Sequence, residues 1–219
     1  MQWLVTGTDT DVGKTIVTAC LAQALAARTP TIAIKPVASG VAEGEIAADA
    51  AMIAAAAGHT PRCLISLRLP LSPHRAAQEQ AVQIDPKALV EGILADRATY
   101  RLVEAVGGWR VPITWTFDVR DLAVALGFGV LVVAVDRLGA LNHTRLTVES
   151  IQDAGLTVAG VILNRADPEN FIPSNEADLR ALLDVPVAVL WALNPQDPNA
   201  RRRAGDHLVD SLALLEPEC

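Results

Sequence analysis

The sequence predicts an α/β fold in three layers: a mostly parallel β-sheet with helices on both faces. Three observations carry this. Short β-rich runs alternate with longer helical ones along the chain. Residues 130–135 form an uninterrupted Val-rich run, the pattern of a strand buried on both faces. Hydrophobic types make up 51% of the chain but aromatics only 4%, so the core is aliphatic and alanine-rich. Such a core suits helices packed tightly on a parallel sheet better than a β-sandwich. At 219 residues, the whole of 1–219 reads as a single domain.

The elements follow in order. Residues 3–6 are an apolar strand, followed by a glycine loop and a helix to about residue 27. Residues 31–34 make a second strand, and 46–57 a helix ended by Gly58. The stretch 62–79 reads as irregular, because Pro61, Pro70 and Pro73 punctuate it. Asp85-Pro86 starts a helix, with Asp as N-cap and Pro in the first turn. Leu102 and Val103 belong to a short strand, and 130–135 to the buried one. A helix is expected over 142–154 with Gly155 beyond it, a strand over 158–163 and a helix over 176–183. A last strand spans 187–190 and a closing helix 207–215.

The charge balance is 18 basic against 25 acidic residues, a net −7, which argues against a sequence-independent nucleic-acid binder. The longest apolar run, residues 122–135, contains two glycines and falls short of the roughly 18 residues a membrane span needs. No basic segment followed by an apolar one marks a signal peptide. Cys20, Cys63 and Cys219 are odd in number and widely spaced, so reduced thiols in a cytoplasmic protein are expected. His59, His74, His143 and His207 lack paired ligand spacing. Arg201-Arg202-Arg203 reads as a solvated helix start rather than an anion site.

In open α/β sheets, ligands bind beyond the carboxyl ends of the strands, so the residues just past each strand matter most. The first strand runs into Gly7-Thr8-Asp9-Thr10-Asp11-Val12-Gly13-Lys14-Thr15. Strand, glycine loop and Gly-Lys-Thr helix start come in the order of a phosphate-binding P-loop. The backbone N–H groups at Asp11, Val12 and Gly13 would cradle phosphate oxygens. Lys14 would reach the β- and γ-phosphates, and Thr15 would hold Mg²⁺. Five residues separate Gly7 from Gly13, one more than the strict pattern, so Thr8 takes the place of its first glycine. The fold expected is therefore P-loop NTPase-like.

Lys35 follows the second strand and would point into the crevice, where it could neutralise developing phosphate charge. A snorkelling surface lysine has the same sequence signature. Glu104, before Ala105, Val106, Gly107 and Gly108, could bind Mg²⁺ or simply cap a loop. Asp49 lies in an alanine-rich helix, where an aspartate is commonly a surface residue; a P-loop and Glu104 nearby make it a candidate ligand. Asn164 ends the strand at 158–163; its amide matches the Watson–Crick edge of adenine, although Asn is also a common turn former.

Together these residues resemble the dethiobiotin synthase family. The resemblance covers nearly the whole chain. It rests on the P-loop with its five-residue spacing and on Lys35-Pro36-Val37-Ala38-Ser39-Gly40. It also rests on Ser72-Pro73-His74, on Leu138-Gly139-Ala140-Leu141-Asn142-His143 with Leu146-Thr147, and on Leu190-Trp191 with Asn194-Pro195. The resemblance implies an ATP- and Mg²⁺-dependent cyclo-ligase that closes a urea ring on 7,8-diaminononanoate with CO₂ or bicarbonate. Dethiobiotin, ADP and phosphate are its products. It implies that Lys14, Lys35 and Thr10 act in catalysis, and that Thr15, Asp49 and Glu104 hold Mg²⁺. It implies that Gly107 and Glu104 lie at the ATP and that Asn164 contacts adenine. Thr10, Lys35 and Ser39 would hold substrate, with Leu141 and Asn142 of a second subunit at its carboxylate, making a homodimer with shared active sites.

Two departures stand out. The family usually has Glu-Gly-Ala-Gly-Gly where this chain has Glu104-Ala105-Val106-Gly107-Gly108, and a positive φ at Ala105 would be strained. Asp11 stands where a longer glutamate is common. Three competing readings follow. A related amide-forming synthase would need a further amidotransferase domain. A cell-positioning ATPase would carry a second lysine in the loop. An impaired paralogue would serve as a nucleotide-binding regulatory module.

Overall fold

The computed structural model describes residues 1–215, and Cys219 lies outside them. The elements are β1 (Gln2–Gly7), α1 (Lys14–Ala26), β2 (Thr31–Ile34), β3 (Val37–Ser39), α2 (Ala48–Ala57), β4 (Ile65–Leu67), α3 (Pro73–Glu79) and α4 (Pro86–Leu94). There follow β5 (Tyr100–Glu104), α5 (Val119–Leu126), β6 (Gly129–Val135), α6 (Ala140–Asp153), β7 (Val158–Arg165), α7 (Asn175–Leu182), β8 (Val187–Trp191) and α8 (Pro198–Ser211). Six strands form one sheet in the order β2-β5-β1-β6-β7-β8, every neighbouring pair parallel. β3 and β4 make a separate parallel pair beside it.

Strand alternation divides the core into two faces. Leu4, Val103, Val130 and Val132 turn to the side covered by α4, α5, α6 and α7, where Leu89, Leu122, Val148 and Leu179 meet them. Trp3, Val5, Leu131 and Val133 turn to the side of α1, α2 and α8, against Val17, Ile53 and Leu208. The expected three layers are therefore present.

Several sequence expectations are corrected. The stretch 62–79 is not irregular, because it holds β4 and α3. β4 has three residues, too few to show a period, and exists by pairing with β3. The apolar run 122–135 contains the end of a helix that the sequence reading did not resolve. Gly127 (φ 65) caps α5, and the chain then enters β6. The closing helix begins at Pro198 rather than 207, capped by Asp197, whose side chain accepts from the Asn199 N–H at 2.8 Å. The arginine run sits in the first turns of this helix. There Arg202 pairs with Asp206 at 2.9 Å and Arg201 reaches Gln23 at 3.2 Å. Helix α6 starts at Ala140, two residues earlier than expected. The Asp85 cap is as expected, accepting from Lys87 N–H at 2.9 Å.

Cys20 and Cys63 are free thiols, and burial pushes the Cys20 thiol up to about 12. Among the described residues, no helix is long and apolar enough to cross a membrane. Helices α1 and α8 meet backbone to backbone at Gly205. A Cβ there would lie 1.9 Å from the Cys20 carbonyl oxygen and 2.8 Å from the Ala24 methyl. Gly205→Ala is therefore expected to lower stability by about 3 kcal/mol, read as a shifted denaturant midpoint. An unchanged midpoint would show that the two backbones do not meet this closely.

Candidate active site

The loop from Gly7 to Lys14 joins β1 to α1, and its geometry explains its spacing. A Cβ on Gly7 would lie 2.6 Å from the Val12 side chain and 2.8 Å from the Asp9 carbonyl, so the tight position is Gly7 and Thr8 is tolerated beside it. The Thr8 N–H is held by the Val133 carbonyl of β6 at 3.0 Å. Gly13 has φ 95, and a Cβ there would fall 2.1 Å from the Asn164 amide nitrogen. That nitrogen donates to the Val12 carbonyl at 2.9 Å, so the end of β7 braces the loop. Asp11 carries a left-handed φ of 57. Lys14 donates to the Asp9 carbonyl at 3.0 Å, folding over the loop it belongs to.

Strands β2 and β5 are neighbours, with Ile34 registered on Val103. Their next residues, Lys35 and Glu104, are thereby brought together. The Lys35 ammonium lies 2.6 Å from Glu104 Oε1 and 2.9 Å from Asp49 Oδ2. The Thr15 hydroxyl donates to the same Glu104 oxygen at 2.8 Å. Burial pulls the Lys35 ammonium down, but the Glu104 and Asp49 charges outweigh it and hold it above the ordinary lysine value. Lys35 is thus no snorkelling surface residue.

A cavity of about 730 Å³ opens over this group. It brings together Thr10, Asp11, Gly13, Lys14, Thr15, Lys35, Ser39, Asp49, Glu104 and Gly107 of the sequence-predicted residues. Val12, Asn164, Leu141 and Asn142 do not line it; Val12 is buried in the core. Ala38, Pro70, Leu71, Ser72, Pro73, Val106 and Val111 complete the wall. Of these, Ala38, Ser72, Pro73 and Val106 fall in the sequence motifs and Pro70 among the breaking prolines, and none of them has a role at the site that the sequence assigns. Ser39 Oγ and Glu104 Oε2 are buried with no hydrogen-bond partner, so the cavity presents two polar atoms that still need one.

Ala105 is not strained. The non-glycine residues with positive φ among those described are Asp11, Ala81 and Ala213, whereas Gly107 carries φ 59. Ala105 is buried in the core. No strain therefore arises at Ala105, whereas the bulkier Val106 beside it does line the cavity.

Among the described residues, no three His, Cys, Asp or Glu side chains gather as a metal cage. The donors that do converge are the Thr15 hydroxyl and the Glu104 and Asp49 carboxylates around Lys35. A hard cation that keeps waters and phosphate ligands, as Mg²⁺ does, fits such a sparse oxygen set, and the unpartnered Glu104 Oε2 fits it too.

A second polar cluster, missed by the sequence reading, lies past β6 and β7. Asp136 takes Arg165 on Oδ2 and Asn175 on Oδ1, both at 2.7 Å. The Arg165 guanidinium also lies 4.6 Å from the Phe171 ring and 4.7 Å from the Trp191 ring. The signal was present, since both Asp136 and Arg165 fall at strand ends.

A P-loop between a central parallel strand and its helix, with a lysine and a carboxylate from adjacent strand ends, defines a P-loop ATPase. The family model described as an AAA domain matches residues 1–196. The ATP-dependent dethiobiotin synthetase BioD of Anaeromyxobacter sp. (strain Fw109-5) is 44% identical over 80% of this chain and 82% of that protein. The protein of the same name from Ralstonia nicotianae is 42% identical over 96% of each. The chain belongs to the ATP-dependent dethiobiotin synthetase family. Solved structures confirm the fold alone. The septum site-determining protein MinD of Pyrococcus horikoshii, complexed with Mg-ADP, has TM-score 0.57 at 18% identity, with 97% of this chain and 95% of that one covered. The ParA family ATPase of Chlorobium tepidum has TM-score 0.59 at 14% identity, with 98% and 99% covered.

Burial first, and the Lys35 charge second, lower the Lys14 ammonium to about 8, against the opposing pulls of Glu104, Asp11 and Asp49. A polyanion bound at Lys14 favours the charged form, so above that value the site takes up a proton with the nucleotide. ATP titrations at about pH 8.5, run in two buffers of different ionisation enthalpy, are expected to show uptake of a large fraction of a proton. Affinity should weaken as pH rises through about 8. Buffer-independent heats would show that Lys14 holds its proton in the free protein.

Proposed function

We propose that the protein closes the ureido ring of dethiobiotin on 7,8-diaminononanoate, using CO₂ and Mg-ATP. The observation that carries this reading is the convergence of two ammonium groups, Lys14 and Lys35, with the unpartnered Ser39 hydroxyl, on one cavity beside the P-loop. A carbamate and ATP are both anionic, so their approach needs concentrated positive charge in a preorganised site. One amine of the substrate takes up CO₂ to become a carbamate. A carbamate oxygen attacks the γ-phosphorus and ADP leaves. The second amine then attacks the carbamoyl carbon, phosphate leaves and the ring closes. Because that last step is intramolecular, the site acts mainly by alignment.

Lys14 holds the β- and γ-phosphates. Lys35 moves between its carboxylates and the carbamate oxygen. Thr10 and Ser39 hydrogen-bond the carbamate or the transferring phosphoryl group. Thr15, Asp49 and Glu104 hold Mg²⁺, which when bound offsets phosphate charge. The backbone of Asp11, Val12 and Gly13 cradles phosphate, with Gly107 alongside. Asn164 leaves its carbonyl oxygen to accept from the adenine amine while its nitrogen braces Val12.

The whole of 1–219 works as one catalytic domain in a cytoplasmic homodimer, without nucleic-acid or membrane partners. Leu138, 89% exposed, and Leu146, 59% exposed, support the pairing, because they leave an apolar surface around α6 for a second copy. Leu141 and Asn142 of that copy then reach the substrate carboxylate at the start of the helix.

Phosphate release from Mg-ATP is expected to require both the diamine and bicarbonate. Release driven instead by a partner protein or a membrane would overturn the reading. Lys35→Ala is expected to lower turnover by about 10²- to 10³-fold while leaving ATP affinity nearly unchanged, because Lys14 remains. Wild-type turnover in that variant would remove Lys35 from the mechanism.

A further inference from the structure

We infer that Trp115 is a positioning residue for the diamine, acting through His74 and the entrance of α3; the inference rests on the diamine occupying the cavity proposed above. Trp115 is 65% exposed, so core packing does not explain it. It stands at the tip of a built loop. The Ile113 and Thr114 N–H groups both donate to the Phe117 carbonyl at 2.9 Å, and Pro112 bridges to Asp118. Arg110 donates to Asp118 Oδ2 at 2.6 Å, and Asp118 in turn closes a capping box with Asp121 at the start of α5. Ile113 is buried and roots the loop.

From this tip the indole meets α3. The His74 ring sits edge-on to it, with centroids 4.6 Å apart and planes at 87°. The Arg75 guanidinium lies 5.3 Å from the indole centroid. The His74 N–H donates to the Pro112 carbonyl at 3.4 Å, and the imidazole Nδ1 lies 3.1 Å from Ser72 Oγ. Ser72 and Pro73 on one side, and Val111 on the other, line the active-site cavity. The aromatic contact therefore joins two walls of the cavity from outside it. Neither joined wall carries a residue of the phosphate loop or Asn164, so the clamp is assigned to the shape of the substrate side of the cavity rather than to the nucleotide.

Steady-state kinetics on the full chain, varying diamine and ATP separately, test this. Trp115→Ala is expected to raise the diamine KM by about 3- to 10-fold, with kcat, ATP KM and melting temperature unchanged. Trp115→Phe should restore the diamine KM. Trp115→Ala combined with His74→Ala should be no worse than the poorer single variant, because both act through one contact. An unchanged diamine KM in Trp115→Ala, a matching loss in kcat or ATP KM, or additive single effects would each overturn the proposal. A wild-type protein without diamine-dependent phosphate release would instead overturn the functional reading, and this inference with it.

Discussion

The Lys35 ammonium lies 2.6 Å from a Glu104 carboxylate that is fully out of water, and Asp49 and Thr15 complete the group around this pair. Two buried charges are tolerated only with good geometry and further hydrogen bonds, and removing one partner typically costs about 3–5 kcal/mol. Here the geometry comes from the sheet. β2 and β5 run parallel in register, so both residues leave it at the same level. Thr15 adds a hydroxyl to the carboxylate and thereby ties the first turn of α1, and with it the phosphate loop, to the same point. Asp49 adds a second carboxylate from α2, so the lysine links two edges of the cavity.

The same chain builds a second buried ion pair with a different character. Asp136 uses one oxygen for Arg165 and the other for Asn175, so its carboxylate is filled by protein. Glu104 keeps Oε2 unpartnered beside an open cavity. Satisfied networks fix a structure, whereas an unfilled acceptor at a cavity wall is a demand for a ligand. On that distinction the Asp136–Arg165 cluster braces the ends of β6 and β7, and the Glu104 cluster is the one left open to a ligand. The overall negative charge is no obstacle to an anionic ligand, because a few buried cations set the local field.

Much of this was legible because it is local. The phosphate loop, Lys35, Glu104 and Asn164 each stand at or just past the end of a strand, and strand ends were readable from apolar runs. What the sequence hid depends on distant partners. β3 and β4 are three residues each and exist only as a pair. Helix α5 merged with β6 into one apolar stretch because its exposed face carries Val124 and Ala125 instead of polar residues, and the break rests on one glycine with positive φ. The doubt over Ala105 arose from counting glycines in a motif; the backbone needs its left-handed residue at Gly107 instead. Trp115 and His74 lie 41 positions apart, and nothing in either neighbourhood announces their contact.

The close approach of α8 to α1 at Gly205 bears on how the molecule is made. A ribosome that has released only the first 197 residues holds a chain whose phosphate-loop helix lacks the cover that α8 gives it. β1 also waits for both its neighbours, β5 and β6, before it can be interior. The nucleotide cradle, encoded early, is therefore among the late features to become rigid during synthesis. Until then the nascent chain carries an apolar α1 surface that a chaperone can hold.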